Sequence, residues 1–249
     1  MGYYKLGGGY KMGVYIAEFV GTMILILLGG GVCANTTLKN SNGKDSGWIV
    51  ITAGWGFAVA MAAYITGWIS GAHLNPALTI GLAVSGLIGW DLVVGYIVAQ
   101  MLGAMAGAVL VYLAYKRHYD ATEDAAAIRG TFCTGPAIPD FTWNFVTEVI
   151  GTFMLVFGIR GIGAEQVGAG ALGTLLVGFL VWAIGLSLGG PTGYAINPAR
   201  DLGPRIAYAL LPFKNKTDAN WGYAWVPVVA PIVGAILGSV LFDVMLSMV

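Results

Sequence analysis

Two asparagines, Asn75 and Asn197, each open an Asn-Pro-Ala tripeptide inside a long, nearly uncharged stretch. Proline at the first helical position has no N–H to waste, and asparagine before it caps the first-turn donors. Each tripeptide therefore predicts the start of a short helix. If the two helices enter from opposite faces of a membrane, their N-termini meet, each carrying roughly half a positive charge. The Asn75 and Asn197 amides then offer donors to an oxygen passing between them. A cation, hydronium included, meets positive potential from both sides. The expected chemistry is non-covalent: hydrogen bonding to a neutral, hydroxylated solute and rejection of charge.

Two carboxylates, Glu18 and Glu148, also lie in apolar stretches. Such a group is either a relay for protons or coupling ions, or an acceptor for loop N–H groups without helical partners. Their equivalent places in a repeat favour the second role, a loop buttress. His73, two residues before Asn75, reads as a loop-orienting residue. Arg200 directly follows the second tripeptide; its fixed fork suits two hydroxyls of one solute and repels cations. Asp201 and Arg205, four apart, form a favourable local pair of structural character. With two histidines and no nucleophile–base set, neither a metal, a cofactor nor an enzyme is expected.

Elements long enough to hold these residues in a bilayer are present. Of 249 residues, 57% are hydrophobic and 10% charged, with mean hydropathy +0.78. A soluble domain carries about 25% charged residues, so this is an integral membrane protein. Its net charge of zero gives nucleic acid nothing to bind. Six stretches, 14–34, 48–69, 92–115, 141–159, 171–189 and 224–246, are long enough to cross, since about 20 residues span the hydrocarbon. Stretches 75–86 and 197–211 begin at the tripeptides and are too short; they fit re-entrant segments shielded by protein or a water-filled cavity. The start, 1–12, is polar and glycine-rich and runs into the first span without a cleavage site, so no cleavable signal peptide is expected. Cys33 and Cys133 lie near span ends, where a disulfide is open to them but two free thiols are the plainer expectation. Gly103 with Gly107, and Gly234 with Gly238, are small residues four apart that let helices approach closely. Trp221, Tyr223 and Trp225 fit an interfacial aromatic belt.

The two halves repeat. Glu18, Gly21 and Thr22 match Glu148, Gly151 and Thr152, and residues 71–77 match 193–199. Each half reads as three spans with one half-helix after the second. Three is odd, so the second half enters from the opposite side, as an inverted repeat. The predicted fold is an all-α membrane protein of six transmembrane helices and two re-entrant half-helices. It forms one channel domain over 1–249, with halves at about 11–115 and 141–249 and a polar linker at 116–140. One side carries Lys5, Lys11 and Arg160; the other carries Lys39, Lys44, Lys116, Arg117, Arg129, Lys214 and Lys216. The positive-inside rule places the second group in the cytoplasm.

These motifs resemble the major intrinsic protein family, the aquaporins and glycerol facilitators, over nearly the whole chain. The resemblance rests on the Ser-Gly-Ala-His-Leu run before Pro76 and Asn75, and on Asn197 through Asp201, with Gln100 and Glu148 fitting the pattern. It implies one pore per subunit, a homotetramer in the plasma membrane and cytoplasmic termini, the reverse of the orientation from charge. Asp201 after Arg200, and Pro227 followed by Val228, are similar to the glycerol-conducting branch. The narrow filter of that branch has Trp, Gly, Phe and Arg; the matching positions are Trp55, Gly185, Tyr194 and Arg200. Gly185 in place of the histidine of water-specific members implies a wider pore, and Tyr194 adds a hydroxyl. By resemblance, Trp55 and Tyr194 form an apolar corner for a solute's carbon edge. Arg200 and the carbonyls of Gly71, Ala72, His73, Leu74, Gly193, Tyr194, Ala195 and Ile196 bind its oxygens. The implied function is passive passage of glycerol first and water second, with other small polyols and protonated acids as further candidates, and exclusion of ions and protons. A water-selective channel and an ion-coupled secondary transporter with broken helices are the alternatives.

Overall fold

A computed structural model describes residues 8–248, leaving out the side chains at 8–10 and 171. Lys5 and the first seven residues of the polar start lie outside it. The described elements are α1 (Gly8–Thr37), α2 (Trp48–Ser70), α3 (Pro76–Val84), α4 (Trp90–Ala114), α5 (Lys116–Ala121), α6 (Ala125–Gly130), α7 (Phe141–Ile162), α8 (Gly173–Leu188), α9 (Pro198–Leu210) and α10 (Val226–Leu246). Five of these helices, α1, α2, α4, α7 and α10, are long and apolar enough to cross a membrane.

The fifth expected span, 171–189, forms a shorter helix. Helix α8 has 16 residues, about 24 Å at 1.5 Å per residue. Two 3₁₀ turns, Glu165–Val167 and Gly170–Leu172, precede it. Gly168 and Gly170 sit at φ 61° and 51°, left-handed values that stop a helix from extending backwards. The linker 116–140 is also more ordered than its polarity suggests, since it contains α5 and α6. Asp124 starts α6 by accepting hydrogen bonds from the Ala126 and Ala127 N–H groups. Three lysines on this side are met by acids, Lys39 by Glu123 at 3.8 Å, Lys44 by Asp45 at 2.8 Å and Lys116 by Asp120 at 2.6 Å, while Lys216 donates to the Ala209 and Leu211 carbonyls.

Packing follows the repeat. Helix α1 packs on α4 and α2, α10 on α7, and α2 on α8. A methyl added at Gly103 would collide with the Phe19 carbonyl, and one at Gly107 would lie 2.6 Å from the Met23 carbonyl. The second half repeats this, with Gly234 against the Val149 carbonyl and Gly238 2.7 Å from that of Phe153. Without a hydrophobic force between helices in lipid, such backbone contact is what holds them. Gly56 and Gly178 occupy equivalent places before their own Asn-Pro-Ala motifs and face each other, each Cβ position 2.7 Å from the other's carbonyl. The pseudo-twofold axis therefore passes between them. Each half-helix leans mainly on the last helix of the other half, α3 on α10 and α9 on α4. At the far end of α3, Arg160 donates to Ser85 at 2.9 Å and to Asp243 at 2.7 Å, and Ser85 donates to Asp243 at 2.5 Å.

Cys33 and Cys133 are free and buried. Burial pushes the Cys133 thiol up to about 12, with the Asp201 charge adding to it. Trp221 and Trp225 are exposed as expected, but Tyr223 is buried, 2% exposed, so it does not belong to the aromatic belt.

Candidate pore and its lining

The two loops that precede α3 and α9 carry unusual backbone. Ala72, Leu74, Tyr194 and Ile196 have φ of 48°, 51°, 38° and 43°. A left-handed residue with a side chain costs roughly 1–2 kcal/mol. The buried carboxylates offset this. Glu18 accepts from Ser70 Oγ at 2.7 Å, His73 N at 2.9 Å, Leu74 N at 2.7 Å and Gln100 Nε2 at 2.8 Å. Glu148 accepts from Thr192 Oγ1 at 2.7 Å and from Ala195 N and Ile196 N, both at 2.8 Å. Charge-assisted bonds to N–H groups are about twice as strong as neutral ones. The second set is smaller because Pro231 stands, relative to Gly234, where Gln100 stands relative to Gly103, and proline brings no side-chain donor.

At the loop ends the two asparagines work in both directions. Asn75 Oδ1 accepts from Ala77 N at 2.9 Å and Leu78 N at 3.4 Å, while Asn197 Oδ1 accepts from Ala199 N at 3.0 Å and Arg200 N at 3.1 Å. Asn75 Nδ2 donates to the Ile196 carbonyl, and Asn197 Nδ2 to the Leu74 carbonyl, both at 2.8 Å. The half-helices are thus joined start to start. Each amide keeps one further N–H. The Leu74 and Ile196 carbonyls, expected to serve a solute, each already hold one bond from the opposite half.

A narrow cavity of about 70 Å³, counted as space open to the centre of a water-sized sphere, runs past this junction. Asn75 and Asn197 line it with Ala72, His73, Leu74, Tyr194, Ala195 and Ile196, and Trp55, Tyr194 and Arg200 line it together. One water needs about 10–15 Å³ by this measure, so the space suits a thin column and not a bulky ligand. A wider cavity of about 500 Å³ shares His73 and Ala72, takes in Gly71, and reaches the loop bearing Glu165. Gly193 lines neither cavity. The His73 ring is oriented by Thr79 Oγ1, 3.2 Å from Nδ1, and by Tyr96, whose ring lies at 4.9 Å.

Trp55, Tyr194 and Arg200, matched to the filter by resemblance, line one cavity. The Arg200 guanidinium lies 3.9 Å over the Trp55 ring, a stacking that desolvated sites favour. Among the described residues it donates no side-chain hydrogen bond to protein. Gly185 differs from the expectation of a lining residue. It stands behind Tyr194, where a Cβ would lie 2.8 Å from the tyrosine Cζ and 3.0 Å from its hydroxyl. Counted from their own motifs, Trp55, Tyr194 and Arg200 correspond to Val177, Ala72 and Leu78, which line the same cavity. Positions equivalent by the repeat therefore carry unlike side chains here, an aromatic pair and a cation against three apolar residues.

Several contacts were not legible beforehand. Trp48 packs edge-on against Tyr194, with ring centroids 5.9 Å apart, and its indole N–H donates to the Gly185 carbonyl at 3.1 Å. The Trp55 indole N–H is taken by Cys33 Sγ at 3.3 Å. Asp201 and Arg205 form a fully buried ion pair at 2.7 Å. Asp201 also accepts from Thr134 N and Oγ1, and Arg205 donates to the carbonyls of Thr134, Ala219 and Asn220. This pair ties three separated segments beside the pore; only its i,i+4 spacing was visible in the sequence. Among the described residues no cluster of three or more His, Cys, Asp or Glu is placed to hold a metal.

Known proteins resemble this chain over most of its length. The profile described as Major intrinsic protein matches residues 10–242. A probable glycerol uptake facilitator protein of Thermotoga maritima is 60% identical over 218 residues, covering 88% of this chain and 93% of that protein. A glycerol uptake facilitator protein of Bacillus subtilis is also 60% identical over 218 residues, covering 88% and 79%. The X-ray structure of the aquaglyceroporin from Plasmodium falciparum superposes with TM-score 0.85 at 31% identity, over 96% of this chain and 100% of that one.

Proposed function

The chain belongs to the major intrinsic protein family, and from that premise we propose that it is a passive membrane channel for small uncharged solutes, chiefly glycerol, with water as a second permeant. The observation that carries this is a narrow cavity lined by both asparagines and by Trp55, Tyr194 and Arg200. A carbon backbone slides along the Trp55 and Tyr194 rings. Oxygens are met by the Arg200 guanidinium, then by loop carbonyls and by the remaining N–H of each asparagine. These groups replace lost hydration for a neutral polyol, while the meeting helix N-termini and Arg200 oppose cations. Glu18 and Glu148 act as buttresses, since the loop N–H groups and side chains around them take up their oxygens. One domain spans 1–249. The working form is a homotetramer in the plasma membrane with cytoplasmic termini, as the family implies.

Proteoliposomes in an inward glycerol gradient test the reading. Shrinkage followed by fast reswelling, without saturation or dependence on an ion gradient, is the expected result. Shrinkage without reswelling makes the protein water-selective, and reswelling only with an ion gradient makes it a coupled transporter.

A further inference from the structure

Helix α1 holds the Trp55 side chain at two points. The indole N–H donates to Cys33 Sγ at 3.3 Å, and both residues are buried, 4% and 8% exposed. Gly29, one turn earlier on the same helix, leaves room for the ring; a Cβ there would collide with it. A buried indole N–H ordinarily finds a partner, and a buried donor left without one costs about 1–3 kcal/mol. Among the described residues the Cys33 sulfur is the acceptor that serves it. A largely apolar crevice beside Trp55, lined also by Ile26, Ala108, Val111, Phe132 and Pro204, has no space open to the centre of a water-sized sphere. Water in that crevice therefore does not replace the sulfur.

The ring in turn places a charge. The Arg200 guanidinium stacks 3.9 Å over Trp55 and, among the described residues, its side chain donates no hydrogen bond to protein. Where the ring tilts, the guanidinium follows. Cys33 itself does not line the narrow cavity, whereas Trp55 and Arg200 do. We propose that Cys33 is a positioning residue of the constriction: its sulfur, together with the bare backbone of Gly29, fixes the plane of Trp55 and through it the place of Arg200. The sulfur touches no solute. Without its bond the ring turns more freely about its side-chain torsions, the guanidinium shifts with it, and a loosened site discriminates less well between solutes. The inference rests on the channel reading above and adds a residue outside the lumen that governs selectivity inside it.

The test compares Cys33→Ala with Cys33→Ser in proteoliposomes. Both variants remove the sulfur and leave similar space, but serine keeps an acceptor for the indole N–H. The readout is the permeability of erythritol, one carbon and one hydroxyl longer, relative to glycerol. The ratio should rise about 2- to 10-fold in Cys33→Ala, the range for one uncharged hydrogen bond, and stay near wild type in Cys33→Ser. An unchanged ratio in Cys33→Ala, or equal ratios in the two variants, overturns the inference by leaving only a packing role. A second measurement needs no variant at position 33. In ¹⁵N-labelled wild-type protein in nanodiscs, the Trp55 indole proton, assigned by its loss in Trp55→Phe, should exchange slowly with solvent. Glycerol flux together with a fast-exchanging indole proton defeats this inference alone. Wild-type protein that passes no glycerol defeats the channel reading, and this inference with it.

Discussion

The Asn75 amide donates to the Ile196 carbonyl at 2.8 Å, linking the cap of one half-helix to the loop that leads into the other. The equivalent bond from Asn197 to Leu74 has the same length. Each asparagine therefore caps its own helix and pins the opposite loop. The starts of the two half-helices are thus tied to one another by the residues that cap them.

This reciprocity predicts coupling between the two asparagines. Asn75→Ala and Asn197→Ala should each destabilise by about 1–2 kcal/mol through the lost cap, with a further contribution from the orphaned carbonyl. The double variant should depart from additivity by about 0.5 kcal/mol or more, because both bonds share one junction. A double-mutant cycle on thermal unfolding in detergent measures it; strict additivity would mean that the two caps are independent.

The carboxylate buttresses should tolerate isosteric change poorly. Glu148→Gln replaces an acceptor oxygen with an NH₂ facing an N–H donor, either Ile196 or Ala195. About 2–4 kcal/mol of stability should be lost, and glycerol flux should fall as the Tyr194 and Ile196 backbone relaxes from positive φ. Paired melting and reswelling assays read both effects.

Asp201 and Arg205 offer a separate check on the loops beside the pore. Asp201→Asn leaves the fully buried Arg205 charge without its carboxylate, which should cost about 3–5 kcal/mol. Limited proteolysis should then cut first near Thr134 and Asn220, whose backbone the pair holds. Unchanged melting would show that the pair contributes little.

Gly185 should resist even a methyl. Gly185→Ala places a Cβ 2.8 Å from the Tyr194 Cζ, and overpacking of this kind costs about 1–3 kcal/mol. Adding Tyr194→Phe should restore little, because the ring carbon remains after the hydroxyl is gone. Full recovery in the double variant would place the conflict at the hydroxyl alone.

The Cys133 thiol should be inert at ordinary pH. Burial holds it well above its ordinary value of 9.0, at about 12. Below pH 9 both folded and unfolded thiols stay protonated, so the group adds no pH dependence to stability. As pH rises from 9 towards 12, the unfolded chain ionises and the folded one does not, so stability falls over that window. In a Cys33→Ser background, a disulfide-exchange reagent at pH 8 should label native protein far more slowly than denatured protein.

Much of this molecule is written locally. Apolar run lengths define the spans, an Asn-Pro pair defines each half-helix start, and paired Glu18 and Glu148 mark the two loops; each signal needs only a few neighbouring residues. The repeat adds the inversion, since three crossings return the chain from the opposite side. Local pattern is less exact at the start of α8: the expected span 171–189 takes in residues 171–172, which belong to a 3₁₀ turn just after the left-handed Gly168 and Gly170, and the helix begins at Gly173. Tertiary structure alone decided the partners: Ile196 for Asn75, Cys33 for the Trp55 indole, Trp48 and Gly185 around Tyr194, Thr134 for Asp201. These pairs join loops and helices distant in sequence, and their geometry follows from how closely the glycine-lined helices approach. A hydrogen bond forms or fails over a few tenths of an ångström, a distance that residue types and spacing do not encode.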